Sequence, residues 1–155
     1  MSFRAGGIRS GALAGYVASR VMDHATSWFY DRQTEASKQR EEELAPGGTL
    51  VQLGKQLGQA TGRELDDVQA GRVGLAVHRT LGVLYGMGAA ALAKRGVPPL
   101  ASGLAVGTTA WLVVDEGLAI SQFTAYPVES HMRGVVGHAT LGLSVGVLLS
   151  LVGKR

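Results

Sequence analysis

Three long apolar runs constrain this chain more than any other feature. They cover residues 73–93, 99–120 and 134–152, and each carries very few ionisable side chains. A helix rises about 1.5 Å per residue, so about 20 residues cross the roughly 30 Å hydrocarbon core of a bilayer. The runs are too long and continuous for barrel strands, and only helices or closed barrels satisfy their backbone in lipid. They therefore predict membrane-crossing α-helices.

A weaker apolar segment precedes these runs at residues 5–22. Arg9 and Arg20 interrupt it, and its apolar content is mostly alanine and glycine. It either crosses the membrane with both arginines reaching toward the headgroups, or lies in the interface as an amphipathic helix. We favour crossing, because its glycines recur at every fourth position. We interpret it as a retained span, since it lacks the compact core and cleavage site of a signal peptide.

A polar insert at residues 31–72 separates the first span from the second. Residues 31–44 predict a helix that continues out of the first span, and Ala-Pro-Gly-Gly at 45–48 breaks it. Thr49 is a candidate cap for a second helix, so the insert is expected to be a helical hairpin resting on the bundle. Residues 1–155 then form one all-α domain, an integral membrane four-helix bundle with a polar helical insert between spans one and two.

Glycines repeat at i, i+4 in every predicted span. This spacing places them on one helix face, where the missing side chains let backbones approach in lipid. The pattern predicts a tightly packed bundle, and does not separate packing within the chain from packing between subunits. The predicted packing glycines are Gly7, Gly11, Gly15, Gly82, Gly86, Gly103, Gly107, Gly142 and Gly146.

Composition excludes several classes of protein. The net charge is +3, but only 17% of residues are charged and no basic run is interleaved with aromatics, so we expect no nucleic-acid partner. The absence of cysteine excludes disulfides, thiolate nucleophiles and cysteine metal sites. No Walker or Rossmann pattern occurs. By the positive-inside rule, the short-loop basic residues place both termini in the cytoplasm: Arg4, Arg9, Lys94, Arg95, Lys154 and Arg155.

Ionisable residues gather at one end of the predicted bundle. In an up-down bundle, the end of each span and the start of the next lie on the same side of the membrane. The predicted polar cluster comprises His24, His78, Arg79, Asp115, Glu116, His131, Arg133 and His138. Because unpaired charges are costly at membrane depth, we expect His78 or Arg79 to lie near Asp115 or Glu116, with His138 close by.

The chemistry of this cluster is open between several interpretations. It is either an ion-pair network that fixes helix register, or a path for protons or small ions. Candidate metal ligands are His78, Glu116 and His138, and the two histidines could also sandwich haem b. However, neither HExxH nor Glu-x-x-His occurs, and no serine lies in a nucleophile elbow. We therefore expect a non-enzymatic protein without a cofactor, with haem b or a divalent metal as the alternative.

The order of residues from His78 to Gly142 resembles that of a known family. The residues that carry the resemblance are His78-Arg79, Gly82 to Gly86, Trp111, Asp115-Glu116, Tyr126-Pro127, Ser130-His131, Arg133, His138 and Gly142. This arrangement is similar to the YagU-like family of bacterial inner-membrane proteins, a family of unknown function. Family members often have a proline-rich segment after the acidic pair, whereas this chain has only Pro127 there. The resemblance implies a multi-pass protein of the bacterial inner membrane and no particular reaction.

The sequence thus predicts a structural or accessory membrane protein. Its expected partners are the lipid bilayer and either further copies of itself or other membrane subunits. The alternative is a proton-translocating, ion-translocating or redox protein that uses the one-sided histidine and carboxylate cluster.

Overall fold

The computed structural model describes residues 7–117 and 125–153, and the side chains of residues 116 and 117 are outside that description. Within these residues the chain is all-helical and contains no strand, as predicted. The helices are α1 (Gly7–Tyr30), α2 (Glu35–Leu44), α3 (Thr49–Ala60), α4 (Asp67–Lys94), α5 (Pro99–Ala110) and α6 (Val128–Val152), with a π-helical segment at Trp111–Gly117 that continues α5. The start of the predicted first span, the end of the third and the basic residues Arg4, Lys154 and Arg155 lie outside the described residues.

Local signals set the helix ends, which differ from the prediction in three places. The chain breaks after Tyr30 instead of continuing, because the Thr34 side chain caps α2 by accepting a hydrogen bond from the Ser37 amide. Asp66 caps α4 in the same way, so this helix begins before the predicted second span. Gly48 rather than Thr49 occupies the cap position of α3, at a φ of 91° that glycine adopts without strain.

The long helices pack in a defined order. Helix α1 packs chiefly on α4 and α6, and α5 packs on α6 and α4. In the insert, α3 lies against the first turns of α4, while α2 touches α6. The structure thus places α1 beside two helices that are distant in sequence, and this neighbourhood decides which polar groups meet.

Glycine allows the closest of these contacts. A Cβ on Gly15 would lie 2.1 Å from the Gly82 carbonyl oxygen, which joins α1 to α4. A Cβ on Gly103 would lie 2.2 Å from the Gly142 carbonyl oxygen, which joins α5 to α6. Both distances are far below van der Waals contact, so the two helix pairs touch backbone to backbone within one chain. Each predicted packing glycine is buried.

Small residues fill the interior while large apolar residues face outward. Of the eleven buried hydrophobic residues among those described, eight are alanines, and the others are Leu141, Val145 and Leu149. Leucines and valines are exposed along α1, α4, α5 and α6. By length and composition, α4 and α6 are the described helices that could cross a membrane, and the apolar stretch Pro99–Asp115 is shorter.

Candidate functional site

Polar side chains collect where α1 ends, α4 begins, the π segment lies and α6 begins; we call this the polar end. The described hydrogen bonds and ion pairs, together with the position of Trp111, divide them into three groups, not one cluster. The Asp23 group consists of Ser19, Asp23, His78 and Arg79. The Glu41 group consists of Gln33, Glu41, Ser130 and Arg133. The His138 group consists of the ion pair of Asp115 and His138, and of Trp111, which lies beside Asp115 at Gly134.

The Asp23 group joins α1 to α4 just beyond their glycine contact. One Asp23 oxygen lies 3.0 Å from His78 Nε2, and the other accepts a hydrogen bond from Arg79 Nη2. Arg79 Nη1 donates to Ser19 Oγ at 2.9 Å, and Ser19 is almost fully buried. His78 and Arg79 thus bind Asp23, whereas we expected one of them to lie near Asp115 or Glu116; Asp115 binds His138, and the Glu116 side chain lies outside the described residues. The reason is packing, because α4 turns this face toward α1.

The Glu41 group ties the insert to α6. The Glu41 carboxylate accepts from Arg133 Nη2 at 2.6 Å and from Ser130 Oγ at 2.7 Å. Gln33 Nε2 also donates to it, at 2.6 Å, while the Gln33 carbonyl accepts from Arg133 Nη1. Burial alone would raise the pKa of Glu41, but the hydrogen bonds from Arg133, Ser130 and Gln33 outweigh it and lower that pKa. The carboxylate is therefore held in its charged form.

An open cleft of about 460 Å³ lies beside the Glu41 group. The end of α1, the turn between α2 and α3, and the start of α6 surround it, with Tyr30, Tyr126 and Arg133 in its lining. The Arg133 guanidinium also lies over the Tyr30 ring, 5.1 Å from its centre. Burial, with a further contribution from the Glu41 charge, raises the pKa of the Tyr126 hydroxyl, so this hydroxyl is neutral and can donate a hydrogen bond.

The His138 group joins the π segment to α6. His138 Nε2 lies 3.3 Å from Asp115 Oδ2, and His138 is only 7% exposed. Gly134, one turn before His138, leaves room for the carboxylate, because a Cβ there would lie 2.4 Å from Asp115 Oδ2. His138 Nδ1 and Trp111 Nε1 are buried and have no hydrogen-bond partner among the described residues.

The remaining predicted residues are distributed more widely. His24 is exposed on α1, His131 lies half-exposed at the start of α6, and the Glu116 side chain is outside the described residues. His78 and His138 bind different carboxylates. Among the described residues, no group of three or more histidine, aspartate or glutamate side chains could hold a metal ion.

The predicted polar cluster did not include Ser19, Asp23, Gln33, Glu41 or Trp111. A signal for some of them was present, because the glycine spacing runs on into polar residues at the same interval. Gly11 and Gly15 are followed by Ser19 and Asp23, and Gly103 and Gly107 by Trp111 and Asp115. Glu41 carries no such signal, since it begins a run of three glutamates.

Comparison with known proteins finds no matching family model, no matching curated protein and no matching solved structure.

Proposed function

We propose that this chain is an integral membrane protein in which α1, α4, α5 with its π segment, and α6 form a four-helix membrane bundle. Its proposed role is structural or accessory, either as an assembly of its own copies or as a subunit of a larger membrane complex. The observation that carries the proposal is the distribution of apolar residues between the inside and the outside of the bundle.

That distribution is the reverse of a water-soluble bundle. Leu13, Leu84 and Leu151 are 66%, 53% and 57% exposed, whereas the buried positions are mainly glycine and alanine in α1 and α4, and glycine, leucine and valine in α6. In water, each such leucine would lose roughly 1.5–3 kcal/mol of favourable burial free energy. In lipid the outward leucines lose nothing, and close backbone packing supplies the attraction between helices.

The side chains buried inside the bundle favour an accessory role over a path for ions. From Leu141 to Leu149, the buried residues of α6 are glycine, leucine and valine. On the facing side of α5, the buried hydroxyl is that of Ser102, which donates to the Val97 carbonyl. Along these buried positions of α5 and α6, an ion moving away from the polar end would therefore meet no charged side chain, and a single hydroxyl that is already hydrogen-bonded.

The packing glycines limit how the chain could associate with a second subunit. They already form contacts within the chain, between α1 and α4 and between α5 and α6. A second subunit would accordingly contact the outward leucine and valine faces.

The basic residues Arg9, Lys94 and Arg95 lie away from the polar end, which supports cytoplasmic termini and an outward-facing insert. The resemblance to the YagU-like family supports the bacterial inner membrane as the location.

The absence of cysteine allows a direct test by labelling of single cysteines. Gln59→Cys lies on the insert and Lys94→Cys at the opposite end of α4, and both positions are exposed. We expect a membrane-impermeant maleimide to label Gln59→Cys in spheroplasts, and Lys94→Cys only after permeabilisation. The chain should also stay in membranes washed with alkaline carbonate. Release by carbonate, or labelling of both positions from one side, would contradict the membrane bundle.

A further inference from the structure

The His138 group contains two buried hydrogen-bonding atoms that the described protein does not use, Trp111 Nε1 and His138 Nδ1. Buried polar atoms are almost always hydrogen-bonded, so two such atoms in one group call for a partner. They belong to neighbouring parts of one small region. A Cβ on Gly134 would lie 3.5 Å from Trp111 Cδ1, the carbon bonded to Nε1, and 2.4 Å from the carboxylate that binds His138.

The two atoms have complementary hydrogen-bonding properties. His138 Nε2 lies 3.3 Å from Asp115 Oδ2, and a carboxylate beside that nitrogen favours the neutral ring with its proton there. His138 Nδ1 is then an acceptor, whereas Trp111 Nε1–H is only a donor. A molecule that accepts one hydrogen bond and donates another satisfies both, and water does so in the smallest volume.

We propose that Trp111, Asp115 and His138 form a buried proton-binding site that is connected to solvent through a bound water. The water accepts from Trp111 Nε1–H and donates to His138 Nδ1. A proton from solvent, passed through this water, forms a new N–H bond at Nδ1 and leaves the water intact. The resulting imidazolium keeps both of its ring protons and lies against the Asp115 carboxylate, which balances its charge. This role goes beyond the structural one.

The groups around His138 and Asp115 favour a proton-binding site that exchanges with solvent on one side. From α4, Tyr85 is the titratable group on which the Asp115 charge acts. From α1, Met22 and Thr26 approach α6 at Gly137, and from α5, Gly107 lies against the His138 carbonyl. On α6 itself, the nearby Arg133 is bound to Glu41. Since the buried residues of α6 beyond His138 are apolar, we expect the proton to exchange with solvent at the polar end.

The two tryptophans of the chain allow this site to be read by fluorescence. Trp28→Phe leaves Trp111 as the single tryptophan, and an imidazolium nearby quenches indole emission. In the detergent-solubilised full chain, we expect the Trp111 emission to fall in one reversible step as the pH is lowered from 9 to 5. That step should be lost in His138→Gln and retained in the control His24→Gln. A step of unchanged size and midpoint in His138→Gln would overturn the proposal.

A second measurement uses the chain with His138 in place, so it tests the site even if His138→Gln does not fold. In the chain labelled with ¹⁵N-histidine, we expect one ring with its proton on Nε2 and a bare Nδ1 at alkaline pH. This ring should show transfer of magnetisation from water, and Nδ1 should gain a proton in the same step as the fluorescence change. His138 with its proton on Nδ1 at alkaline pH, or a ring that does not titrate, would refute the site. Neither result would bear on the membrane bundle, which the cysteine labelling tests separately.

Discussion

Glu41 of α2 and Arg133 of α6 form a two-pronged ion pair, with Nη2 2.6 Å from Oε2 and Nη1 3.2 Å from Oε1. The residues are 92 positions apart in the chain, so this pair fixes the insert against the polar end. Gln33 and Ser130 donate to the same carboxylate, which leaves few of its lone pairs unused.

Glu41→Gln is expected to destabilise the fold. The substitution leaves the Arg133 guanidinium, whose side chain is 21% exposed, without its countercharge. Losing one partner of a largely buried pair costs about 2–4 kcal/mol, somewhat less than at a fully buried site. The measurement is thermal unfolding of the purified chain in detergent. Glu43→Gln is the matched control, because Glu43 binds Arg40 in an exposed pair that is worth about 0–1 kcal/mol. Equal losses in the two variants would contradict the role of the buried pair.

The stabilisation by Glu41 should disappear in acid. Its pKa is lowered in the folded chain, so as the pH falls the unfolded chain takes up this proton first, and acid favours unfolding. The stabilisation is complete above the ordinary glutamate pKa of 4.5 and is lost as the pH falls through the lower folded value. The difference in melting temperature between the unsubstituted chain and Glu41→Gln should therefore be constant from pH 6 to 8 and shrink below about pH 4.5. If the difference in melting temperature grew in acid, the pKa of Glu41 could not be lower in the folded chain than in the unfolded chain, and the prediction would be wrong.

Gly15→Ala should separate α1 from α4. The added Cβ would meet the Gly82 carbonyl oxygen at 2.1 Å, and a backbone atom cannot move aside as a side chain can. We expect a loss of about 1–3 kcal/mol, as for other overpacked interiors. Gly88→Ala is the control, because the nearest atom to its new Cβ is 4.0 Å away. It should be neutral or stabilising by up to about 1 kcal/mol, since alanine favours helix. Gly15→Ala unfolding at the temperature of Gly88→Ala would argue against the backbone contact.

Asp23→Asn should also weaken the packing of α1 on α4, because it removes a charge that α4 binds. It removes the charge that both His78 and Arg79 bind, and the Arg79 side chain is 19% exposed. We expect a loss of about 1–3 kcal/mol in thermal unfolding. Glu35→Gln is a suitable control, because that carboxylate is 90% exposed and its recorded partner among the described residues is Lys38. In a double-mutant cycle, Arg79→Gln should remove most of the effect of Asp23→Asn. Additive losses would mean that the two side chains act independently.

The sequence allowed the all-helical fold to be predicted, but not which polar groups pair. An apolar run, or glycine at every fourth position, can be recognised within a single segment of the sequence. Pairing depends on the order of helices around the bundle, and periodicity within α1 does not reveal that α1 lies between α4 and α6. The Asp23 group and the His138 group are separate because of that order. The π segment at Trp111–Gly117 has no comparable local signal.

The backbone contacts of α1 with α4 and of α5 with α6 divide the bundle into two halves. Each half is held by interlocked main chains, whereas α1 meets α6 through the side chains of Met22 and Thr26 against Gly137. Side chains can change rotamer and slide, but interlocked main chains cannot. We therefore expect any opening of this protein to be a hinge movement between the halves. The link from Glu41 to Arg133 would then act as the latch, because α2 follows directly from one half and α6 belongs to the other.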